Sequence, residues 1–163
     1  MTSTRRGVKS VRGALWALLV CIPAVNFSAV AATTEQIVID PQTGLAINGY
    51  DPVAYFVDGL PKVGRPEFEL RYHGGTWRFR NPGNKAAFMA DPGDYEPRFG
   101  GYDPIGVGRG APTRGNPDVW LVVDRNLYLF FSVENREQFA ADPARHAARA
   151  EAKWPDVRKL LAQ

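Results

Sequence analysis

The sequence predicts a small α+β domain, and three observations carry that reading. Two stretches alternate apolar and polar residues with a period of two and turn back on themselves. Each is followed by a short helical pattern that an Asp-Pro pair stops. The two stretches also match each other: residues 77–95, slid forward by 51 positions onto 128–146, align Phe79 with Phe130, Asn84 with Asn135, Phe88 with Phe139, Ala90 with Ala141, Asp91 with Asp142 and Pro92 with Pro143, and set Lys85 opposite Arg136. Two hairpin-and-helix units that each leave one apolar face bury those faces against each other, so the expectation is an internal repeat packed on one core.

Size and composition agree with a single domain. The chain has 163 residues, 45% hydrophobic and 23% charged, which excludes a wholly disordered, collagen-like or multi-span membrane protein. Arg5, Arg6, Lys9 and Arg12 precede a short apolar run from Ala14 to Val25, and Ala29-Val30-Ala31 supplies small residues at a cleavage position. This is the pattern of a secretory signal over residues 1–31, and the run is too short for a stable span of about 20 residues. The expected mature domain is 32–163, periplasmic or secreted. Thr4-Arg5-Arg6 admits the twin-arginine route and Leu18-Leu19-Val20-Cys21 a lipid anchor, but poor downstream residues and the bulky Val20 favour general secretion without one.

Removing that segment takes away four of the 20 cationic residues and none of the 17 acidic ones, leaving 16 against 17 and a net charge of −1 in place of +3. No basic excess remains to mark a nucleic-acid partner. Cys21 goes with it, so the mature chain has neither a disulfide nor a thiolate metal site of its own. Its one serine, Ser132, stands where a helix N-cap is expected, which argues against a serine hydrolase.

Taken in order, Ile37-Val38-Ile39 and Leu45-Ala46-Ile47 read as short strands around Pro41-Gln42-Thr43-Gly44. Asp51-Pro52 opens a helix over 53–57, because the carboxylate accepts orphan amide protons and proline has none to lose. Phe68, Leu70 and Tyr72, then Trp77 and Phe79 beyond His73-Gly74-Gly75, give the first hairpin. Asn81-Pro82 starts a helix expected to turn Ala86, Phe88 and Met89 to the core before Asp91-Pro92 ends it. Residues 100–118, rich in Gly and Pro, read as a long loop and the expected binding edge. Residues 119–123 and 127–131 give the second hairpin around Asp124-Arg125-Asn126. An Ala-rich helix follows over 143–153, interrupted at Trp154-Pro155 before a last turn to Leu161. Trp77, Trp120 and Trp154 are expected to pack on the core or its edge.

Gly49-Tyr50-Asp51-Pro52-Val53-Ala54-Tyr55-Phe56, with Thr76-Trp77-Arg78-Phe79, Phe88, Ala90-Asp91-Pro92, Tyr95 and Gly100-Gly101-Tyr102, resembles the exported YHS-domain proteins from about residue 44 to 154. The resemblance implies a small α+β unit and, in the metal-binding form, transition-metal cysteines. At the places of those cysteines this chain has Ala54, Arg80 and Asn84, and Asp103 where many exported relatives carry a cysteine after Gly-Gly-Tyr.

The expected function is therefore a non-catalytic exported YHS-like binding module for a small ligand or partner protein, without a resident cofactor. Its candidate ligand-binding residues are Tyr50, Asp51, Tyr55, Tyr102, Asp103 and Arg109, in which phenols and carboxylates converge if the Gly/Pro segment folds back. Three of them have a plainer role as well: Asp51 caps a helix, Tyr55 packs, Tyr102 anchors the segment. Asp103 stays the more open case, an aspartate suiting harder, oxygen-preferring partners. The rival reading is a periplasmic transition-metal binder, copper as the resemblance implies or another such metal, using Asp, His, Met or Tyr in place of cysteines, with His73, Met89, Asp103 and His146 as the candidate ligands. His73 also reads as an exposed turn residue and His146 as a residue of helix packing. Gly106-Val107-Gly108-Arg109-Gly110 lacks the following helix that a phosphate cradle needs, and reads as flexible. No pair of acids or bases has a spacing that singles out an enzyme.

Overall fold

Two antiparallel hairpins, each followed by a helix capped at its first turn, organise the chain in the computed structural model, which describes residues 1–2 and 37–162. The expected export signal, apart from its first two residues, lies outside the described residues, and so does Cys21. All elements below belong to the unit Ala32–Gln163.

The first hairpin pairs β1 (Arg65–Tyr72) with β2 (Gly75–Phe79), and the second pairs β3 (Asn116–Val123) with β4 (Asn126–Phe130). Both turn on two residues with positive φ, His73 at 47° and Gly74 at 83°, then Asp124 at 49° and Arg125 at 60°, the geometry that matches the twist of a tight hairpin. Both carry a register irregularity one strand-length away, between Arg65 and Glu69 and between Asn116 and Trp120. Helix α2 (Pro82–Ala90) follows β2 with Asn81 as its cap, the side chain accepting from Asn84 N at 2.8 Å. Helix α4 (Val133–Ala141) follows β4 with Ser132 in the same role, accepting from Asn135 N at 3.3 Å. The small α+β domain expected from the sequence is what forms.

A shorter helix precedes each hairpin, α1 (Ala54–Val57) and α3 (Pro104–Gly108). The second corrects the sequence reading: 100–118 is not a long loop. Every residue of α3 is buried, with Asp103 as its cap, and Gly106 and Gly108 lie inside it instead of in a flexible run. Glycine composition hid this helix, because the packing that holds it is long-range. A Cβ on Gly106 would meet Thr113 Oγ1 at 2.8 Å, and one on Gly108 would meet Arg149 Cγ at 3.4 Å.

Three further expectations are corrected. The strands at 37–39 and 45–47 shrink to single bridges, Ile39 with Ala46 and Leu45 with Thr76, and Ile47 already has φ of 41° as it enters a tight turn. In α2, Phe88 is buried while Ala86 and Met89 face outward, Met89 being 58% exposed. The inward stripe runs through Asn84, Ala87 and Phe88 instead. Finally, α5 (Pro143–Leu161) runs on through Pro155. A proline inside a helix costs about 3 kcal/mol, and here Ala150 and Val157, both buried, hold the helix on either side.

The buried side chains form two clusters. Trp77, Phe79 and Phe88 anchor the first, and Phe99, Tyr102, Phe130 and Phe139 the second. Strand β4 divides them, sending Leu127 and Leu129 into one and Tyr128 and Phe130 into the other, as strand alternation requires. No helix among the described residues is long and apolar enough to cross a membrane.

Candidate functional site

Two aspartates are fully buried, Asp51 and Asp103, and each holds a helix start against a hairpin end. Asp51 accepts through Oδ1 from Val53 N at 2.9 Å, and through Oδ2 from Arg80 N at 2.7 Å and Asn84 Nδ2 at 2.7 Å. Asp103 accepts through Oδ1 from Ile105 N at 2.8 Å and Gly106 N at 3.4 Å, and through Oδ2 from Phe131 N at 2.8 Å and Asn135 Nδ2 at 2.6 Å. A buried carboxylate costs heavily unless donors replace its water, and here they do. Each carboxylate therefore ties three elements together with both oxygens engaged inside the protein.

Neither asparagine partner received a role from the sequence. The signal was nevertheless present: Gly49-Tyr50-Asp51-Pro52 recurs as Gly101-Tyr102-Asp103-Pro104, displaced by 52 positions where the later matches are displaced by 51. One residue of slippage kept it outside the aligned window.

The tyrosines do not gather in one pocket. Tyr50 donates its hydroxyl to the Asp118 carboxylate at 3.0 Å, and Tyr55 donates to Pro117 O at 2.9 Å. Burial raises the pKa of both phenols; for Tyr50 the adjacent Asp118 carboxylate adds to the rise. Tyr55 also meets Trp120 edge-on at 5.2 Å. These two rings dock the first unit on the start of β3. Tyr102 lies in the other cluster, 6.1 Å from the Trp154 ring.

Among the described residues, a concave site lies elsewhere, beside α5. A groove of about 450 Å³ runs between α5 and the tight turn Arg98–Gly101. Phe99 and Trp154 form its aromatic wall, meeting edge-on at 5.7 Å. Phe99 holds a φ of 55°, a left-handed conformation that costs a non-glycine residue about 1–3 kcal/mol and that its buried ring helps to maintain. Glu151, Trp154, Pro155 and Arg158 line the groove from the helix side, the i, i+3, i+4, i+7 spacing of one helical face.

Around that wall the charges are mostly paired. Arg98 Nη2 lies 2.8 Å from Glu151 Oε1, and His73 Nδ1 lies 3.6 Å from Glu96 Oε2 with its ring stacked on Tyr72 at 3.9 Å. Arg158 also lines the groove, and among the described residues no carboxylate comes within 4.0 Å of it. None of Tyr50, Asp51, Tyr55, Tyr102 or Asp103 contributes to this wall. The sequence reading missed the groove because its lining comes from chain positions 37–158.

Of the metal candidates, His73 stands at the groove, Met89 faces outward on α2, Asp103 is enclosed by its four donors, and His146 is on α5 beside Arg109. Among the described residues there is no group of three or more His, Cys, Asp or Glu side chains placed to hold a metal ion. No family model, curated protein or solved structure matches the chain.

Proposed function

We propose that the protein is an exported, non-catalytic YHS-like binding module that holds a small ligand in the groove beside α5. The observation that carries this reading is the groove itself, whose volume lies in the range of small-molecule sites and which combines an aromatic wall with a few convergent charged groups. Trp154, half-buried and backed edge-on by the buried Phe99 ring, offers ring contact to a planar apolar body. Arg98 already faces the Glu151 carboxylate, whereas Arg158 faces none, so a guanidinium is left at the groove for a ligand to match. The ligand class that suits this arrangement is a planar ring bearing a carboxylate.

The test uses indole-3-acetate and tryptamine as probes, which share a ring and differ in charge. A ligand of the folded state raises the melting temperature by mass action. Indole-3-acetate is expected to raise it saturably and tryptamine is not, and Arg158→Gln is expected to abolish the gain while leaving the unliganded melting temperature in place. Equal responses to both probes, no response to either, or an undiminished response in Arg158→Gln would overturn the proposal.

A further inference from the structure

Helix α5 presents a second set of side chains, His146 and Arg149, turned by roughly half a circle from the groove face at about 100° per residue. They border a small pocket of about 20 Å³ together with Arg109 from the end of α3 and Gln138 from α4. That volume admits one oxygen-sized atom. Gly108 brings α3 close enough for Arg149 Nε to donate to Gly108 O at 2.9 Å, which fixes the guanidinium and leaves its two terminal nitrogens for another acceptor. Arg109 spends one nitrogen on Gln138 Oε1 at 3.1 Å. Among the described residues no carboxylate comes within 4.0 Å of Arg109 or Arg149.

Two positively charged forks thus flank an imidazole at the mouth of a cavity sized for one oxygen, with donors to spare. The geometry points to a site for a dianionic phosphate group, one oxygen seated in the pocket and the others received by Arg109, Arg149 and His146. It is separate from the aromatic groove and does not depend on the reading of that groove.

The charged groups facing His146 are Arg145, Arg149 and Arg109, opposed by Asp142. Asp142 is itself engaged, its Oδ2 3.0 Å from Arg145 Nε and its Oδ1 accepting from Arg145 N at 3.1 Å. Arg145 Nη2 also lies 3.4 Å from His146 Nε2, a contact that suits a neutral ring accepting a proton bond. Burial, then the arginines, hold the imidazole below its ordinary value. A bound dianion reverses the balance and favours the imidazolium, which becomes another donor.

The test is a titration of the full chain with inorganic phosphate at constant ionic strength, following the ring signals of His146 by NMR. The expected result is a saturable shift with a rise in the His146 pKa, at least tenfold weaker binding in Arg109→Gln, and a much weaker response to acetate, which separates phosphate from a carboxylate ligand. Arg109 is exposed, so unchanged thermal stability of that variant shows that the loss is one of binding. A non-saturating response, an equal response to sodium chloride or acetate, or undiminished affinity in Arg109→Gln would overturn the site.

Discussion

Asp51 and Asp103 hold nearly the same set of partners, yet the surroundings of the two clamps differ. Each accepts from a backbone amide two residues on, from the first amide beyond a hairpin and from an asparagine one turn into the following helix. Around Asp103, α3 is wholly buried and α5 packs against it through Gly108 and Arg149. Around Asp51, α2 is followed by the short turn Pro92–Asp94 where α4 is followed by the long α5, and Val57, Leu60 and Val63 stay more than half exposed. The lesson is that a local hydrogen-bond motif joins helix to hairpin and buries both carboxylates alike, while a single long helix decides how far the segments around each clamp are covered. Both the groove and the arginine-lined pocket are products of that helix.

The largest effect expected from breaking this comparison is at the carboxylates. Asp103→Ala removes the acceptor of four donors and is expected to cost about 4 kcal/mol, with Asp51→Ala nearer to 3 kcal/mol because three donors lose their partner. Urea unfolding of both variants checks the order, and an equal or reversed pair of losses would show that the fourth donor, Gly106 N at 3.4 Å, adds nothing.

The asparagines sharpen it next. Asn135→Ala and Asn84→Ala each remove one bond to a charged acceptor, for an expected loss of about 1.5–3 kcal/mol. Each substitution also weakens the dependence of the other clamp residue, so a double variant with its own aspartate should lose less than the sum. If the losses add, the side chains do not act as a unit.

Tyr50→Phe tests the bridge from the first unit to β3. Loss of its bond to Asp118 is expected to lower stability by about 1 kcal/mol. The raised phenol pKa adds an alkaline signature: the unfolded chain releases that proton first, so stability falls as pH climbs past the ordinary value of 10. That component should vanish in Tyr50→Phe.

The smallest effect concerns His146. Its folded pKa lies below the ordinary 6.5, so the unfolded chain takes up the proton first. Stability is then full above about pH 6.5 and declines as pH falls through the lowered folded value. Melting temperatures of His146→Gln between pH 7.5 and 5.5 should lack this component, and an unchanged slope would assign it to other groups.

What the sequence by itself determined was local. Alternation placed both hairpins, and the caps Asn81 and Ser132 placed the starts of α2 and α4, because a pleated strand and a capped first turn depend on residues a few positions apart. What only the tertiary structure decided was the role of residues whose partners are distant. Asp103 looked available for a ligand until its oxygens met Phe131 and Asn135. Met89 looked inward until Ala87 and Phe88 took the core face, and a Gly/Pro-rich segment became α3 once α5 covered it. The exposed Phe131 carries the same lesson, since its amide serves the clamp while its ring remains 62% exposed. Burial is a property of what packs on a residue from elsewhere in the chain, and neither spacing nor composition records which long-range contact will supply it.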